Sequence, residues 1–415
     1  MTRIALAFDS FKGSLRSSEV AEAFALGIRD VVPACEVRTV TLADGGEGTV
    51  EALAKALHAE YVELCVSDPL GRPVVARYAV AGDTAIVETA AASGLTLLSD
   101  DERNPLVTST YGTGELVHDA LSRGCRRVVL GLGGSATNDG GVGMLRALGF
   151  RFLDAEGVEL MGRGDELERI ATIDEAGVSA AVRAAEFIIA SDVDNPMVGE
   201  RGAAAVYAPQ KGADASAVAR LERGLSRFAD ILMRRTGVDV ASLAGGGAAG
   251  GMGGGCHALL GARLVRGVEL VLDGQRFDDI IADCDMVFTG EGRIDSQTLM
   301  GKAPQGVLAR AQRQGIPVVA VGGSVAWCDE LKTSAFEAIY SITDGSMPLA
   351  QAMQRDVAMA NLRRAAQDIA RKHLKIDSFV YSLLAPRAPY LAKIPRAGCV
   401  STLRCVSIRG DRRSI

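Results

Sequence analysis

The chain has 415 residues, of which 48% are apolar and 23% charged, and its formal net charge is −6. This composition is typical of a globular protein, the length predicts two domains, and the acidic balance argues against a nucleic-acid-binding surface. No apolar run reaches the roughly 18 residues that span a bilayer, and the short apolar run after Met1 does not resemble a signal peptide. We therefore expect a cytoplasmic protein without membrane or nucleic-acid partners.

Short β-branched runs alternate with amphipathic helical patterns, which predicts an α/β fold. The predicted strands are residues 3–8, 36–42, 61–66, 84–89, 126–132, 185–190, 285–289, 316–321 and 336–341. The predicted helices are residues 18–30, 49–57, 115–123, 215–235, 302–314 and 350–373. Residues 73–90 are instead typical of an antiparallel hairpin, because apolar residues flank the turn at Gly82.

These patterns predict two domains and a tail. Residues 1–67 and 285–375 form βα units, so we expect a Rossmann- or flavodoxin-like parallel-sheet domain built from both ends of the chain. Residues 68–284 are predicted to form an inserted mixed α/β domain. Residues 376–415 are rich in Lys and Arg and have no periodicity, so we predict an atypical, disordered tail.

The first polar turn, Asp-Ser-Phe-Lys-Gly-Ser at residues 9–14, follows a predicted strand and precedes a helix. Ligands of open α/β sheets bind at the carboxyl ends of strands, and a helix N-terminus there attracts anions. Ser10 and Lys12 are therefore candidate ligands of an anionic group. The alternative is a capped turn with a solvated lysine.

The second polar turn, Ala-Asp-Gly-Gly-Glu-Gly-Thr at residues 43–49, has the same position relative to its strand and helix. Asp44 and Glu47 are separated by glycines, an arrangement that suits Mg²⁺ or hydrogen bonds to a polyol. A tight turn capped by Thr49 is the alternative.

A glycine-rich segment at residues 128–143 follows the strand predicted at 126–132. Its glycines allow backbone N–H groups to form an anion-binding nest beside two hydroxyls, although the chain contains no Walker A sequence. The candidate nucleotide-binding residues are Gly133, Gly134, Ser135, Ala136, Thr137 and Asn138.

The same segment also matches a dinucleotide-binding pattern, because Gly131, Gly133 and Ala136 have the spacing G-x-G-x-x-A and Asp154 follows 18 residues later. A nicotinamide-binding site is therefore an alternative. Two glycines at 140 and 141 argue against it, because together they cost a helix there about 2 kcal/mol.

Asp192 ends the strand predicted at 185–190 and is a candidate general base or metal ligand, with an Asx-Pro turn as the alternative. Lys211 follows in the sequence Pro-Gln-Lys-Gly-Ala and is a candidate phosphate ligand or an ordinary loop lysine. Residues 245–255 include eight glycines, too many for a stable element, which indicates a flexible linker or a loop that closes over a ligand.

The last polar strand end contains Glu291, Arg293 and Asp295, whose alternation in an extended stretch directs them to one side. Arg293 could bind a carboxylate through two hydrogen bonds. Glu291 or Asp295 could hold Mg²⁺. A structural salt-bridge network is the alternative.

Together these segments resemble the bacterial glycerate kinase family over residues 1–374. The matching segments are Asp-Ser-Phe-Lys-Gly-Ser at 9–14, Ala-Asp-Gly-Gly-Glu-Gly-Thr at 43–49, residues 131–141, Asp-Val-Asp-Asn-Pro at 192–196, Pro-Gln-Lys-Gly-Ala at 209–213, Gly-Gly-Met-Gly at 250–253 and Thr-Gly-Glu-Gly-Arg-Ile-Asp-Ser at 289–296. The resemblance implies ATP, Mg²⁺ and D-glycerate as ligands, and two α/β domains with the active site in the cleft between them. The branch that forms 2-phosphoglycerate is the nearer likeness.

The resulting hypothesis is an ATP-dependent phosphorylation of D-glycerate in organic-acid catabolism. Lys12 and Arg293 bind the glycerate carboxylate, Ser10 and Asp295 are further substrate-binding residues, and Asp192 accepts the hydroxyl proton. Residues 133–138 and Lys211 bind the nucleotide, and the candidate Mg²⁺ ligands are Asp44, Glu47, Glu291 and Asp295. The alternatives are an NAD(P)-dependent oxidoreductase and a non-catalytic sugar-acid binder. We expect a monomer or a homodimer.

Overall fold

The first strand illustrates how the sequence sets the fold. Residues 4–8 are apolar without alternation and all are buried, the pattern of a parallel strand covered on both faces. The structure, a computed structural model, describes residues 1–11, 13–42, 49–343 and 345–374. Within these ranges no helix has both the length and the apolar character that crossing a bilayer requires.

Strands occur throughout the described ranges and are numbered in chain order. They are β1 (Arg3–Phe8), β2 (Glu36–Thr41), β3 (Glu60–Ser67), β4 (Pro73–Ala81), β5 (Thr84–Glu88), β6 (Arg127–Gly131), β7 (Arg151–Leu153), β8 (Thr172–Asp174), β9 (Glu186–Ala190), β10 (Arg263–Val265), β11 (Met286–Ile294), β12 (Val318–Val325) and β13 (Ala338–Ser341). Most of the predicted strands are present, with ends shifted by a few residues.

Helices separate most of these strands. They are α1 (Ser17–Val31), α2 (Thr49–Ala56), α3 (Thr89–Ser93), α4 (Tyr111–Ser122), α5 (Val142–Ala147), α6 (Ala180–Ala184), α7 (Ala203–Tyr207), α8 (Ala215–Thr236), α9 (Ala248–Leu260), α10 (Gly267–Gly274), α11 (Phe277–Ile281), α12 (Ala303–Arg313), α13 (Asp329–Lys332), α14 (Leu349–Ala352) and α15 (Arg355–His373). Short 3₁₀ helices occupy Leu95–Leu97, Asp100–Glu102, Gly164–Arg169, Pro209–Lys211 and Ser296–Met300.

The chain divides into two compact units. Of the described residues, the first unit contains those up to Leu42 and those from Arg276 to Leu374, and the second contains those between them. These limits differ from the domain boundaries predicted from the sequence, which lie between residues 67 and 68 and between residues 284 and 285. Two structural features account for the difference. Strand β3 pairs with β4 of the second unit, and the Arg38 guanidinium donates a 2.7 Å hydrogen bond to the carbonyl of Ile280 at the end of α11.

The first unit contains a fully parallel five-stranded sheet in the order β13-β12-β11-β1-β2. Its apolar core includes Phe8, Phe24 and Phe288, and the ring centroid of Phe24 lies 5.0 Å from that of Phe8 and 5.2 Å from that of Phe288. Because β1 pairs with β11, the end of β1 at Phe8 lies beside Gly290, and β11 continues four residues further to Ile294. The polar residues that follow β1 therefore lie at the same edge of the sheet as the last part of β11.

The second unit contains a six-stranded mixed sheet in the order β10-β9-β6-β5-β4-β3. Strands β3, β4 and β5 are antiparallel, which confirms the predicted hairpin. Strands β5, β6, β9 and β10 are parallel. The parallel sheet and the mixed sheet together confirm the predicted α/β class.

Strands β7 and β8 form a separate two-stranded sheet, which bears on the dinucleotide-binding alternative. Asp154 follows β7, accepts a 2.8 Å hydrogen bond from the Val158 N–H group and a 2.7 Å hydrogen bond from Arg169. In the dinucleotide fold this acidic residue ends the parallel strand after the first helix. Asp154 instead caps a turn outside the main sheet, so the structure does not support that alternative.

The expectation that residues 245–255 form no stable element is wrong, because α9 begins within them. A Cβ atom at Gly253 would clash with the carbonyl oxygen of Gly245, and one at Gly255 would clash with that of Gly140. Glycine therefore permits a close approach of buried backbone segments at these positions, although each glycine lowers the intrinsic helix propensity. Composition alone could not reveal this packing role.

Candidate functional site

The second unit brings two predicted site segments to the same edge of its sheet. In the pairing of β6 with β9, Gly131 lies opposite Ala190, so the segments that begin at Leu132 and Ser191 leave the sheet side by side. The Leu132 N–H group donates to the carbonyl of Ala190 at 3.3 Å. Since ligands of such sheets bind beyond the carboxyl ends of parallel strands, this edge is the candidate site of the second unit.

Residues 133–141, here called the glycine loop, connect β6 to α5. Gly134 has a φ of 71° and is exposed, and its carbonyl accepts a 2.9 Å hydrogen bond from the Leu95 N–H group. In the part of the chain that the structure describes, the N–H groups of Gly133, Gly134 and Ser135 donate to no other residue. Donors of this kind in a turn favour an anion as their acceptor.

Lys211 lies beneath the glycine loop and is 3% exposed. Its Nζ donates to Ser135 Oγ at 2.9 Å and to the carbonyl oxygen of Thr137 at 2.6 Å. Burial lowers the pKa of Lys211 to about 7, and the negative charge of Asp139 acts in the opposite direction. Lys211 is therefore bound to the loop itself and is shielded from the surface on which a ligand would lie.

Asp139 anchors the other end of the glycine loop and was not among the site residues predicted from the sequence. Its carboxylate accepts four hydrogen bonds of 2.7–3.1 Å, from the N–H and hydroxyl groups of Thr110 and from the N–H groups of Gly141 and Gly143. Burial raises the pKa of the Asp139 carboxyl, and these hydrogen bonds oppose the rise. The two glycines after Asp139 were the sequence signal, since they allow the backbone to fold around a carboxylate.

Three of the predicted loop residues lie below the surface. Ala136 is 1% exposed, and Thr137 and Asn138 are fully buried. The Thr137 hydroxyl and both polar atoms of the Asn138 amide find no hydrogen-bond partner among the described residues, the usual sign of an ordered water. Gly133 and Gly134 thus form the outer surface of the loop, Ser135 lies just below them, and the next three residues support the loop from inside.

Asp192 follows β9 at the same sheet edge and is half-buried. Its Oδ1 accepts a 2.9 Å hydrogen bond from the N–H group of Gly267, the first residue of α10. Nearby, the Asn195 side chain is held by the Tyr207 hydroxyl at 2.6 Å and by the carbonyl of Arg201 at 2.8 Å. The turn that contains Asp192 is therefore fixed by hydrogen bonds at both ends.

In the first unit, Asp9 and Ser10 follow β1 beside the last part of β11. The Asp9 N–H group donates to the carbonyl of Gly290 at 2.9 Å, and the Ser10 N–H group donates to Asp9 Oδ1 at 2.7 Å. Three predicted site residues, Lys12, Asp44 and Glu47, lie outside the described residues.

The acidic residues at the end of β11 are already paired. Glu291 accepts a 2.6 Å hydrogen bond from the Thr298 hydroxyl and lies 3.7 Å from the ammonium of Lys302, a residue that was not among the predicted site residues. The Asp295 carboxylate accepts a 3.0 Å hydrogen bond from the Gln297 N–H group and lies 3.4 Å from the Arg293 guanidinium. Arg293 remains 68% exposed, so its other N–H donors face solvent.

The described residues contain no metal centre of their own. No group of three or more Asp, Glu, His or Cys side chains is arranged there to hold a metal ion. Asp295 caps the turn at Ser296–Met300, Glu291 is bonded to the Thr298 hydroxyl, and each faces a cation, so together they do not form a protein-only Mg²⁺ site. Mg²⁺ in kinases is commonly bound through one or two carboxylates together with substrate phosphates, and such a site would need the nucleotide.

The chain is similar over most of its length to proteins of one known family. The model of the glycerate kinase family matches residues 4–374. A glycerate kinase of Halalkalibacterium halodurans is 45% identical over 373 residues, which cover 89% of this chain and 98% of the relative. The glycerate 2-kinase of Escherichia coli K12 is 41% identical over 89% of this chain and 97% of its own length.

A solved structure of a related protein is also similar to this chain. A crystal structure from Salmonella typhimurium LT2, assigned as glycerate kinase 2, superposes with a TM-score of 0.76 and is 42% identical in sequence. The match covers 92% of this chain and 100% of the Salmonella chain. The similarity therefore extends over both units and is not confined to a single motif.

Proposed function

The chain belongs to the glycerate kinase family and is a kinase that phosphorylates glycerate from a nucleotide, and from this premise we propose that it transfers the γ-phosphoryl group of ATP to the 2-hydroxyl of D-glycerate. The name of the Escherichia coli relative specifies the 2-position. The alternative functions, a hydroxy-acid oxidoreductase and a non-catalytic binder, are not supported by any of the comparisons.

The observation on which the proposal chiefly depends is the construction of the glycine loop. The N–H groups of Gly133, Gly134 and Ser135 have no acceptors among the described residues, and the buried Lys211 ammonium group lies directly beneath the loop. An anion bound there would find fixed donors and a positive charge that water does not screen. We propose that this loop binds the phosphates of ATP, with Ala136, Thr137 and Asn138 holding its shape.

Asp192 is the proposed general base. A kinase needs a carboxylate that orients the acceptor hydroxyl and takes its proton. Two features support Asp192 in this role: it leaves the sheet beside the glycine loop, and its Oδ1 is fixed by the Gly267 N–H group. Because the Asp192 carboxylate is already oriented, it would not need to rearrange when the acceptor hydroxyl binds.

Binding of the glycerate carboxylate is proposed for the strand ends of the first unit. Arg293 supports this role because its guanidinium is largely exposed and can form two parallel hydrogen bonds with a carboxylate. Ser10 and Asp295 lie at the same sheet edge and would bind the hydroxyl groups of glycerate. Lys12, outside the described residues, remains part of this proposal.

Mg²⁺ is proposed to accompany ATP, with Asp44, Glu47, Glu291 and Asp295 as candidate ligands, the first two outside the described residues. When bound, it would neutralise charge on the transferred phosphoryl group. Because the described acids form no metal centre by themselves, no catalytic step is assigned to it. A cytoplasmic location, where ATP is available, and a monomeric or homodimeric state complete the proposal.

The decisive experiment is an assay of ADP release with D-glycerate, L-glycerate and a panel of other hydroxy acids, with product identification by ³¹P–¹H NMR. We expect ADP release only when ATP and D-glycerate are both present, with phosphorus coupled to the hydrogen on carbon 2. Coupling to the hydrogens on carbon 3 would refute the proposed position. ADP release that does not depend on glycerate would refute the proposed reaction.

A further inference from the structure

We propose that Lys211 is a positioning residue, which acts on the nucleotide through Ser135 by forcing the Ser135 hydroxyl to donate its hydrogen to a phosphate oxygen. The inference depends on the proposed function, since it assumes that the glycine loop binds nucleotide phosphates. It changes the part played by Lys211, which would orient a hydroxyl and would not contact the phosphate itself.

The first argument concerns the direction of the hydrogen bond. In its ammonium form, which the negative charge of a bound phosphate favours, Lys211 has three N–H donors and no acceptor, so the 2.9 Å contact between its Nζ and Ser135 Oγ uses a lysine hydrogen and a serine lone pair. The Ser135 hydrogen must then point away from Lys211. No other protein partner of the Ser135 hydroxyl is present among the described residues.

The second argument concerns the surroundings of the Ser135 hydroxyl hydrogen, which points away from Lys211. Ser135 is 6% exposed, and the two residues before it, Gly133 and Gly134, form the outer surface of the glycine loop. The hydroxyl therefore lies directly below the surface formed by Gly133 and Gly134, whose N–H groups donate to no other described residue. A phosphate oxygen only accepts hydrogen bonds, so it matches a serine that is constrained to donate.

The third argument is that Lys211 cannot easily reach a ligand. It is 3% exposed, and a second 2.6 Å hydrogen bond to the Thr137 carbonyl holds the ammonium inside the loop. These two bonds together fix the Ser135 side chain and the backbone two residues later. The cation thus also holds the curvature on which the N–H groups of the loop depend.

A double-mutant cycle tests this inference. Lys211→Met, Ser135→Ala and the double variant are compared with the wild type for the KM of ATP, the KM of glycerate and kcat. Each single variant is expected to raise the KM of ATP on the order of 10-fold, the usual effect of losing one hydrogen bond to a charged group. The KM of ATP for the double variant should lie within about twofold of the value for the more impaired single variant. The KM of glycerate should not change in any of the variants.

Lys332→Met is the matched control, because Lys332 is exposed and pairs only with the nearby Asp329 at 2.9 Å in the described structure. It should leave all three constants unchanged. Thermal denaturation confirms that each variant is folded. If the Lys211→Met variant does not fold, Lys211→Gln, which keeps an N–H donor without the charge, takes its place in the cycle under the same criterion.

The outcomes separate this inference from the proposed function. If Ser135→Ala leaves the KM of ATP unchanged, the Ser135 hydroxyl does not donate to the nucleotide and the inference fails, whereas the proposed function fails only if ADP release does not depend on glycerate. If both single variants are impaired and their effects multiply in the double variant, Lys211 acts independently of Ser135, and only the inference fails. An unimpaired Lys211→Met variant also refutes the inference.

Discussion

The carboxylate of Asp139 accepts hydrogen bonds from both the N–H group and the hydroxyl group of Thr110, at 2.8 and 2.7 Å. Thr110 immediately precedes α4, and Asp139 belongs to the glycine loop, so this pair connects the candidate nucleotide site to the core of the second unit. Two further N–H groups, those of Gly141 and Gly143, donate to the same carboxylate. The shape of the loop therefore depends on one buried acid.

Replacing Asp139 is predicted to destabilise the protein. Asp139→Ala leaves buried N–H groups without an acceptor, and we expect a loss of roughly 2–4 kcal/mol in the free energy of unfolding. Asp139→Asn keeps one acceptor oxygen and should lose less. Urea denaturation measures both values, with the exposed Asp329→Ala as the control. Equal stability of Asp139→Ala and the control would show that the carboxylate does not hold the loop.

The buried Lys211 predicts a pH-dependent stability. Burial lowers its pKa to about 7 from an ordinary value of 10.5, so between these limits the unfolded chain binds a proton that the folded chain does not. The free energy of unfolding then rises with pH across this interval, and the cost of the buried charge is greatest below about pH 7.

We therefore predict that the wild type gains stability relative to Lys211→Met as the pH is raised from about 7 to about 9.5, by a few kcal/mol. Urea denaturation of both proteins across this range measures the difference. The exposed Lys332→Met variant should not show this trend. A constant difference between the wild type and Lys211→Met would contradict the lowered pKa.

The packing of α9 against the glycine loop predicts the effect of a methyl group at Gly250. A Cβ atom there would clash with the Thr137 carbonyl and lie 2.5 Å from Asn138 Cα, and the φ of Gly250 is 68°. Gly157→Ala is the matched control, because Gly157 has a φ of 80° but no atom of the described structure lies within 4 Å of the position that its Cβ would take.

Gly157→Ala should cost about 1–2 kcal/mol of stability, from backbone strain alone. Gly250→Ala should cost about 1–3 kcal/mol more from overpacking, and it should raise the KM of ATP because the loop must move. Calorimetry and the ADP-release assay measure the two effects. If the two alanine variants lose the same stability, the close approach of α9 and the loop is not required.

Elements with strong local periodicity could be predicted from the sequence. The bounds of β1 were predicted without error, and those of α8 were predicted within one residue, because a continuous apolar run and a 3.6-residue period are local signals. The positions of the polar turns at the carboxyl ends of β6 and β9 followed from the same reasoning. Their assigned roles remain predictions.

Properties that depend on distant residues could not be predicted. Lys211 and Ser135 are 76 residues apart, so the sequence did not reveal that the lysine lies beneath the loop. The burial of Thr137 and Asn138 likewise depends on α9, whose glycines were interpreted as a flexible linker or a loop that closes over a ligand. A glycine that permits close packing and a glycine that permits flexibility have the same composition signature.

The last prediction concerns Asp192 as general base. Asp192→Asn keeps the oxygen that accepts the Gly267 N–H group, so the melting temperature should change little. The amide cannot take a proton, so kcat should fall by about 10²–10⁴-fold. Asp194→Asn, at an exposed position in the same turn, is the matched control and should retain normal turnover. A near-normal kcat for Asp192→Asn in the ADP-release assay would exclude Asp192 as the base, because the amide in this variant cannot accept the hydroxyl proton and another group must do so.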